Sequence, residues 1–369
     1  MTQAYDDKTK AIELLEKLSN AHGPSGFEEE VHYLVKEEVK DLGEVRGDSV
    51  LNLYVNRKEN KEGKPTVLLD AHMDEVGFIV QSTNSNGSIN FLTLGGFVPT
   101  SVAAQKVKVR NKDGQYLSGV IASKPPHYMS AEERKKAPEI SDMQIDVGSS
   151  SAEETKDLFG IRLACPVVPD VTFERISKKE DYFIGKAFDC RIGVAAEVLT
   201  LQALAGKDLD VNVEAVFSTQ EELGTRGIKV ASKNLKADLA ICFEGAPADD
   251  TFGDPAQQQT VLGKGPMLRH FDSTMLTHPG FQAYALKIAE EKGIPVQEGV
   301  RTGGGTNGSV LHLAGQGIPT IVIGVPVRYI HSHYGIACYE DYMHARDLAL
   351  AIVENITAEE ISAMHYTNS

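Results

Sequence analysis

The sequence predicts an α/β fold, a mostly parallel sheet sandwiched by helices, with an inserted small β-barrel-like domain. Three observations predict it. Helix-like and strand-like patterns alternate from residue 9 to 75 and again from about 181 to 356, the rhythm of a parallel sheet covered on both faces. Between them, residues 76–180 hold short β-type runs punctuated by Gly and Pro, as in small all-β units. Histidines and carboxylates gather just past the predicted strands, where open α/β sheets place their sites. The expected division is 1–75 and 181–369 for the α/β domain and 76–180 for the insertion.

Taken in order, Thr9 to Asn20 carries apolar residues at Ala11, Ile12, Leu14, Leu15 and Leu18, a helical period. A-H-G-P-S-G breaks it. Ser25 is a candidate N-cap, and the acids at 28–30 suit the first turn of a second helix ending near Asp41. Ser49 to Val55 reads as a strand, Lys58 to Lys64 as a charged turn, and Thr66 to Leu69 as a short buried strand. The insertion has β runs at Val76–Gln81, Ile89–Leu94, Lys106–Val109, Leu117–Ile121 and Gln144–Val147, and one helix at Ala152–Leu158. Gly87, Gly95, Gly96, Pro99, Gly114, Pro125 and Pro126 punctuate them. The α/β pattern then resumes. Helices are expected at Arg191–Ala205, Thr225–Asn234, Phe281–Lys292, Ser309–Leu313 and Asp341–Ile356. Strands are expected at Val211–Ser218, Ala237–Phe243, Pro295–Gly299 and Pro319–Val325.

Composition narrows the function. A length of 369 residues suits two domains or one large one, and 41% hydrophobic with 24% charged residues is ordinary for a globular protein. The net charge of −15 disfavours nucleic acid and anionic membrane as partners. The N-terminus is polar, and the apolar runs are strand-sized, too short for a membrane span. The four cysteines are scattered without a CxxC, which suits reduced thiols in a cytoplasmic protein. Any metal must therefore be held mainly by His and carboxylate.

The residues past each strand carry the chemistry. After Thr66–Leu69 come His72 and Asp74; after Val211–Ser218, Glu221 and Glu222; after Ala237–Phe243, Glu244; after Pro319–Val325, His331 and His333. Asp189 sits just before a helix. A metal-bound imidazole usually needs a carboxylate on its other nitrogen, and His72 with Asp74 supplies one. The set is too rich for one tetrahedral zinc and suits two metals sharing a carboxylate and a water. The shared water becomes a hydroxide-like nucleophile, and a carboxylate outside the metals must move its proton. Glu221 and Glu222 fit as one ligand and one base. Blander readings stand beside these: Asp189 as an N-cap, and Glu221 and Glu222 as dipole partners of a helix start. His331 and His333, two apart on extended backbone, share a face and remain alternatives at this level. Gly303–Gly305 lacks the spacing of a phosphate loop and suits close backbone approach near a pocket.

In A-H-M-D-E-V-G (71–77), S-K-P-P-H (123–127), I-D-V-G-S-S-S (145–151), F-D-C-R-I-G (188–193), Q-E-E-L-G-T-R-G (220–227) and R-Y-I-H-S (328–332), the chain resembles metallopeptidase family 42, the glutamyl and tetrahedral aminopeptidases. The motifs stand in family order and span most of the chain. The resemblance implies a zinc-exopeptidase-like domain and a metal-dependent aminopeptidase that removes N-terminal residues from peptides by attack of a metal-bridging hydroxide. It implies two divalent ions per subunit, zinc or cobalt. His72, Asp189 and Glu244 would hold one, and Asp189, Glu222 and His331 the other. Glu221 would be the general base and Asp74 the residue orienting His72. The insertion would build homo-oligomers, dimers and larger hollow particles, a dodecamer among them. Three positions depart from the family pattern: Cys190 where a second acid is common, Glu244 where Asp is commoner, and Asn307 where Asp is common.

Two other classes account for parts of the sequence. A glycoside hydrolase could use Glu221 and Glu244 as a metal-free carboxylate pair, but it leaves His72 and His331 without a role, and the chain has no Trp for a sugar platform. A non-catalytic, metal-stabilised assembly protein would use the insertion alone. An acidic N-terminal residue on the substrate would want a cation in the pocket, and Lys264, Arg269 and Arg301 are the candidates.

Overall fold

The computed structural model describes residues 2–365, with side chains from Asp7 onward. The chain opens with α1 (Thr2–Asn20), α2 (Glu29–Val39), β1 (Gly43–Gly47), β2 (Leu53–Arg57) and β3 (Thr66–His72). The insertion follows as β4 (Gly77–Thr83), β5 (Ile89–Leu94), β6 (Lys106–Arg110), β7 (Tyr116–Ala122), β8 (Gln144–Asp146), α3 (Ala152–Asp157) and β9 (Pro166–Pro169). Then come β10 (Glu174–Ile176), β11 (Lys179–Gly185), α4 (Phe188–Leu204), β12 (Asn212–Ser218), α5 (Arg226–Ala231) and β13 (Leu239–Pro247). β14 (Met267–Phe271), α6 (Pro279–Lys292), β15 (Gln297–Val300), α7 (Gly308–Leu311), β16 (Thr320–Arg328), β17 (Gly335–Cys338), α8 (Tyr339–Asn355) and α9 (Ala358–Met364) complete it.

Eleven strands form one mixed sheet in the order β1-β2-β12-β3-β13-β16-β17-β11-β10, with β14 and β15 branching from β16. Its centre, β12-β3-β13-β16, is parallel. These strands read as apolar runs because helices cover both faces. On one face α1, α4, α6 and α8 bury Leu15, Leu18, Val198, Phe281 and Leu348 against Val67, Leu69, Ile241 and Ile323. On the other, α5 and α7 bring Ile228 and Leu311 onto Leu68, Val216 and Ala240. Helix α4 is apolar nearly all round, the pattern of a helix with no solvent face. Helix α6 stops at Gly293, whose φ of +65° is the left-handed conformation that ends a helix at low cost.

The insertion closes into a six-stranded antiparallel barrel, β4-β5-β8-β7-β6-β9. In β6 the sequence K-V-K-V-R alternates, and Val107 and Val109 are the buried positions. They join Phe78, Ile89, Phe91, Ile121, Ile145 and Val167 in a separate core.

The elements differ from the reading at several points. Strand β3 runs on to His72, so Asp70 and His72 lie within it. Glu244 likewise lies inside β13. The chain rejoins the large sheet at Glu174, and β11 runs through the expected boundary at 180/181. Short or polar strands carry little period-2 signal, and β1, β9, β10, β11, β14 and β17 were not expected for that reason.

Candidate metal centre at the carboxyl edge of the sheet

The parallel register sets the site. His72 of β3 lies opposite Ser218, the last residue of β12. The loop after β12 carries Glu221 and Glu222, and Glu244 of β13 pairs in register with Gly324 of β16. Asp189 stands in the first turn of α4, and His331 follows β16. The fold brings all six to one edge.

His72 is buried, with Nδ1 3.2 Å from Asp74 Oδ1. Its Nε2 faces two carboxylate oxygens, Asp189 Oδ1 at 3.3 Å and Glu244 Oε1 at 3.2 Å. His331 Nε2 is bracketed in the same way by Asp189 Oδ2 at 3.4 Å and Glu222 Oε2 at 3.3 Å. Among the described residues, two groups have donor atoms within 4.8 Å of one another: His72, Asp189, Cys190 and Glu244; and Asp189, Glu222 and His331. Asp189 belongs to both. Glu222 Oε1 is buried without a hydrogen-bond partner, and buried Asp189 Oδ1 meets the His72 ring nitrogen at 3.3 Å without a well-formed hydrogen bond, a costly condition that a cation would relieve. The donor set, imidazole nitrogen and carboxylate oxygen, suits zinc and other first-row divalent ions.

The electrostatics agree. Burial opposes a charge on His331, but hydrogen bonds to Asp189 and Glu222 outweigh it and hold the imidazole at about 11. Burial pushes Glu244 up to about 7, with His72 opposing and Asp189 adding to the rise. Glu221 is pushed well above the usual carboxylate range, first by burial, with Glu244, Glu222 and Asp74 adding to it against His72. Negative charge is concentrated here beyond what two imidazolium groups neutralise.

Asp74 does more than face His72. Its Oδ1 accepts the backbone N–H of Glu221 at 2.9 Å, and its Oδ2 that of Glu222 at 3.1 Å. Ser25, expected as a helix cap, instead donates its hydroxyl to Asp74 Oδ2, and α2 begins at Glu29. Lys186 and Glu75, both buried, pair at 2.6 Å, and Lys186 also donates to Ala21 O. Arg191 donates to the carbonyls of Leu18, Gly23 and Met73. Together they tie the α1–α2 loop to the ends of β3 and the start of α4.

Other candidates go elsewhere. His331 sits at φ +60°, in the left-handed region, which turns the chain and removes the shared face with His333. His333 is buried near Phe78 and Phe97, ring centroids 6.2 Å from each, and burial lowers it to about 4. Cys190 is buried, its thiol donates to Phe243 O at 3.3 Å, and burial holds it protonated. Asn307 donates to Asp70 Oδ2 at 2.9 Å and Ser218 Oγ at 2.7 Å, beneath the site. His127 is exposed on the insertion.

The barrel reaches the site through Gly95 and Gly96, read in the sequence only as punctuation. Gly95 has φ +91°, and a Cβ there would stand 3.2 Å from Glu222 Cβ; one on Gly96 would stand 3.3 Å from His331 Nδ1. A cavity of about 1110 Å³ opens onto the carboxylates, with Glu221, Phe252, Arg269, Gly303–Gly305, Arg301 and Tyr329 among its walls. Arg269 pairs with Asp272 at 3.0 Å and Arg301 with Asp249 at 3.2 Å. Lys264 is not on its wall, and Lys229 is.

The chain that carries this edge-of-sheet cluster matches a known family. The M42 glutamyl aminopeptidase model fits residues 52–348. The chain belongs to the M42 aminopeptidase family. It is a peptidase, a hydrolase acting on peptides, and M42 peptidases are metalloenzymes. Over 358 residues it is 32% identical to a glutamyl aminopeptidase of Lactococcus lactis, covering 96% of this chain and 98% of that one. It superposes on the TET aminopeptidase of a marine sediment Thaumarchaeota archaeon with a TM-score of 0.93 at 34% identity, covering 97% of this chain and 100% of that one. Pyrococcus horikoshii TET1, a peptidase that can assemble into a tetrahedron or a large octahedral shell, superposes with a TM-score of 0.84 at 29% identity, covering 94% and 100%. No helix of the described residues is long and apolar enough to cross a membrane.

Proposed function

We propose that this M42 peptidase is a two-metal aminopeptidase in which Glu221 is the general base. The single observation that supports it best is the pair of groups sharing Asp189, with an imidazole bracketed by two carboxylates in each. His72, Asp189 and Glu244 would hold one ion; Asp189, Glu222 and His331 the other. When bound, two divalent ions, zinc or cobalt, would supply Lewis acidity and a water acidified toward neutral pH. Glu221 lines the same cavity and belongs to neither group. It would take the proton of the attacking water and return it to the leaving amine. The carboxylates would attract the free α-amine of the peptide, and Asp74 would fix the orientation of His72.

Beyond the four carboxylates of the centre, the described cavity walls carry no further acid and three cations, Lys229 and the arginines Arg269 and Arg301, which also pair with Asp272 and Asp249 behind the wall. We read this as a pocket for an acidic N-terminal residue, in line with the name of the Lactococcus relative. For the insertion we propose assembly into a closed homo-oligomer, a dodecamer of tetrahedral symmetry. Leu92, Val98, Val120, Tyr128, Leu158 and Leu163 are exposed on it, more apolar surface than a small solvated barrel needs. Placement in the cytoplasm completes the reading.

The test is an aminoacyl-arylamide panel run on chelator-stripped protein with zinc or cobalt added back. Activity should vanish on stripping, return with metal, require a free α-amine and be highest for Glu or Asp. Full turnover after exhaustive stripping would overturn the reading.

A further inference from the structure

The loop that carries Glu221 and Glu222 is held from behind. Four successive backbone N–H groups, from Thr219 to Glu222, each point to a buried side-chain acceptor. Thr219 donates to Asn52 Oδ1 at 3.1 Å, Gln220 to Glu28 Oε1 at 3.0 Å, and Glu221 and Glu222 to the two oxygens of Asp74. The three acceptors come from three separate segments: the start of α2, the approach to β2, and the end of β3. No helix or sheet ladder supplies these bonds; the carbonyls of Thr219, Gln220 and Glu221 accept from the backbone N–H groups of Gly227, Arg226 and Gly224, so side chains hold the N–H edge of the loop and backbone holds the other.

Gln220 is the point of greatest demand. It has φ +51°, a left-handed conformation that costs a non-glycine residue free energy and persists only where surroundings enforce it. The residue that meets its N–H is Glu28, which is fully buried, accepts Gly26 N–H with the same oxygen at 2.8 Å, and has no partner on Oε2. Glu28 does not line the cavity and lies outside both metal groups. On the other side of the loop, Gly227 seals the arrangement: a Cβ there would come within 2.5 Å of Asn52 Oδ1.

We infer that Glu28 is a positioning residue for the reaction: by accepting the Gln220 N–H it sets where the Glu221 carboxylate stands in the cavity. The inference rests on the proposed role of Glu221. A catalytic group misplaced by about 1 Å can cost on the order of a hundredfold in rate, so a shift of this loop should be read in kcat.

The experiment compares E28Q with E28D in the full-length, metal-loaded protein. Gln keeps the length of the side chain and an oxygen that accepts the Gln220 N–H. Asp keeps the carboxyl group but withdraws the acceptor by one methylene. Metal content, KM and kcat are measured on an aminoacyl-arylamide, with kcat counted per folded, metal-replete subunit. E28Q should stay within about threefold of the unsubstituted enzyme, and E28D should lose at least about tenfold in kcat with KM and metal content little changed. Equal kcat in the two, or a loss that follows metal content alone, would overturn the assignment. So would failure of E28Q to fold, since it is isosteric. If E28D does not fold, E28A takes its place, with the same tenfold loss expected and full kcat overturning the inference. A failure of the aminopeptidase reading itself is separate: the unsubstituted protein would then turn over no aminoacyl substrate.

Discussion

The two halves of the proposed metal centre are built differently. The His72 half lies within the sheet: His72 ends a strand in register with its neighbour, its side chain is 2% exposed, and Asp74 holds its second nitrogen. The His331 half is carried by a loop. His331 sits at φ +60°, its side chain is 38% exposed, and its Nδ1 faces Gly96 of the barrel insertion. One half is preformed by the fold of the α/β domain; the other depends on where a loop and an inserted domain meet. We therefore expect the first to bind metal more tightly, and the second to be where assembly and catalysis can influence one another.

Substitutions can break or sharpen this contrast. The largest effect belongs to Glu221, which lines the cavity and belongs to neither half. Glu221→Gln should lower kcat by about 10²–10⁴-fold while both ions stay bound, measured as turnover beside metal content; retained turnover would remove Glu221 from its role. Next come the two imidazoles. His72→Ala should empty the tighter position and cut metal affinity by at least about a hundredfold, whereas His331→Ala should cost less, about tenfold, and at the other ion only; titration with zinc monitored by calorimetry separates the two. Equal losses would erase the contrast. The smallest effect tests the barrel's contact. Gly95→Ala puts a Cβ beside Glu222 at a φ that L-residues avoid. It should weaken the second ion by about 1–2 kcal/mol and leave the first unchanged, checked in the same titration. Weakening of both ions would mean that the barrel supports the whole centre.

The same contrast separates what was legible in the sequence from what was not. His72, Glu222, Glu244 and His331 stood among the candidates because a parallel sheet gathers its strand ends at one edge, and strand ends can be read locally; Asp189 stood before a helix, and the choice of these five as ligands rested on the family resemblance. The barrel was legible from Gly and Pro punctuation, but its end was not, because β10 and β11 are short, partly exposed strands without clean alternation. Glu28 looked like an acid in a helix's first turn; its bond to Gln220 joins residues 192 apart in sequence. Ser25 looked like a cap because Ser-Gly before an acidic run often is one, and only the folded chain sets it against Asp74. Gly95 and Gly96 looked like turn residues, and their closeness to Glu222 and His331 is a contact between domains that no local pattern encodes. The left-handed turn at His331 removed an ambiguity with His333 that extended backbone would have left standing.

The central claim is that one carboxylate, Asp189, joins two metal positions. Anomalous diffraction from crystals of the zinc-loaded protein, collected on both sides of the zinc edge, tests it most directly. The account predicts two zinc peaks per subunit, one among His72, Asp189 and Glu244 and one among Asp189, Glu222 and His331. A zinc peak that lies away from Asp189, or zinc-saturated protein with no peak at either group, would contradict it.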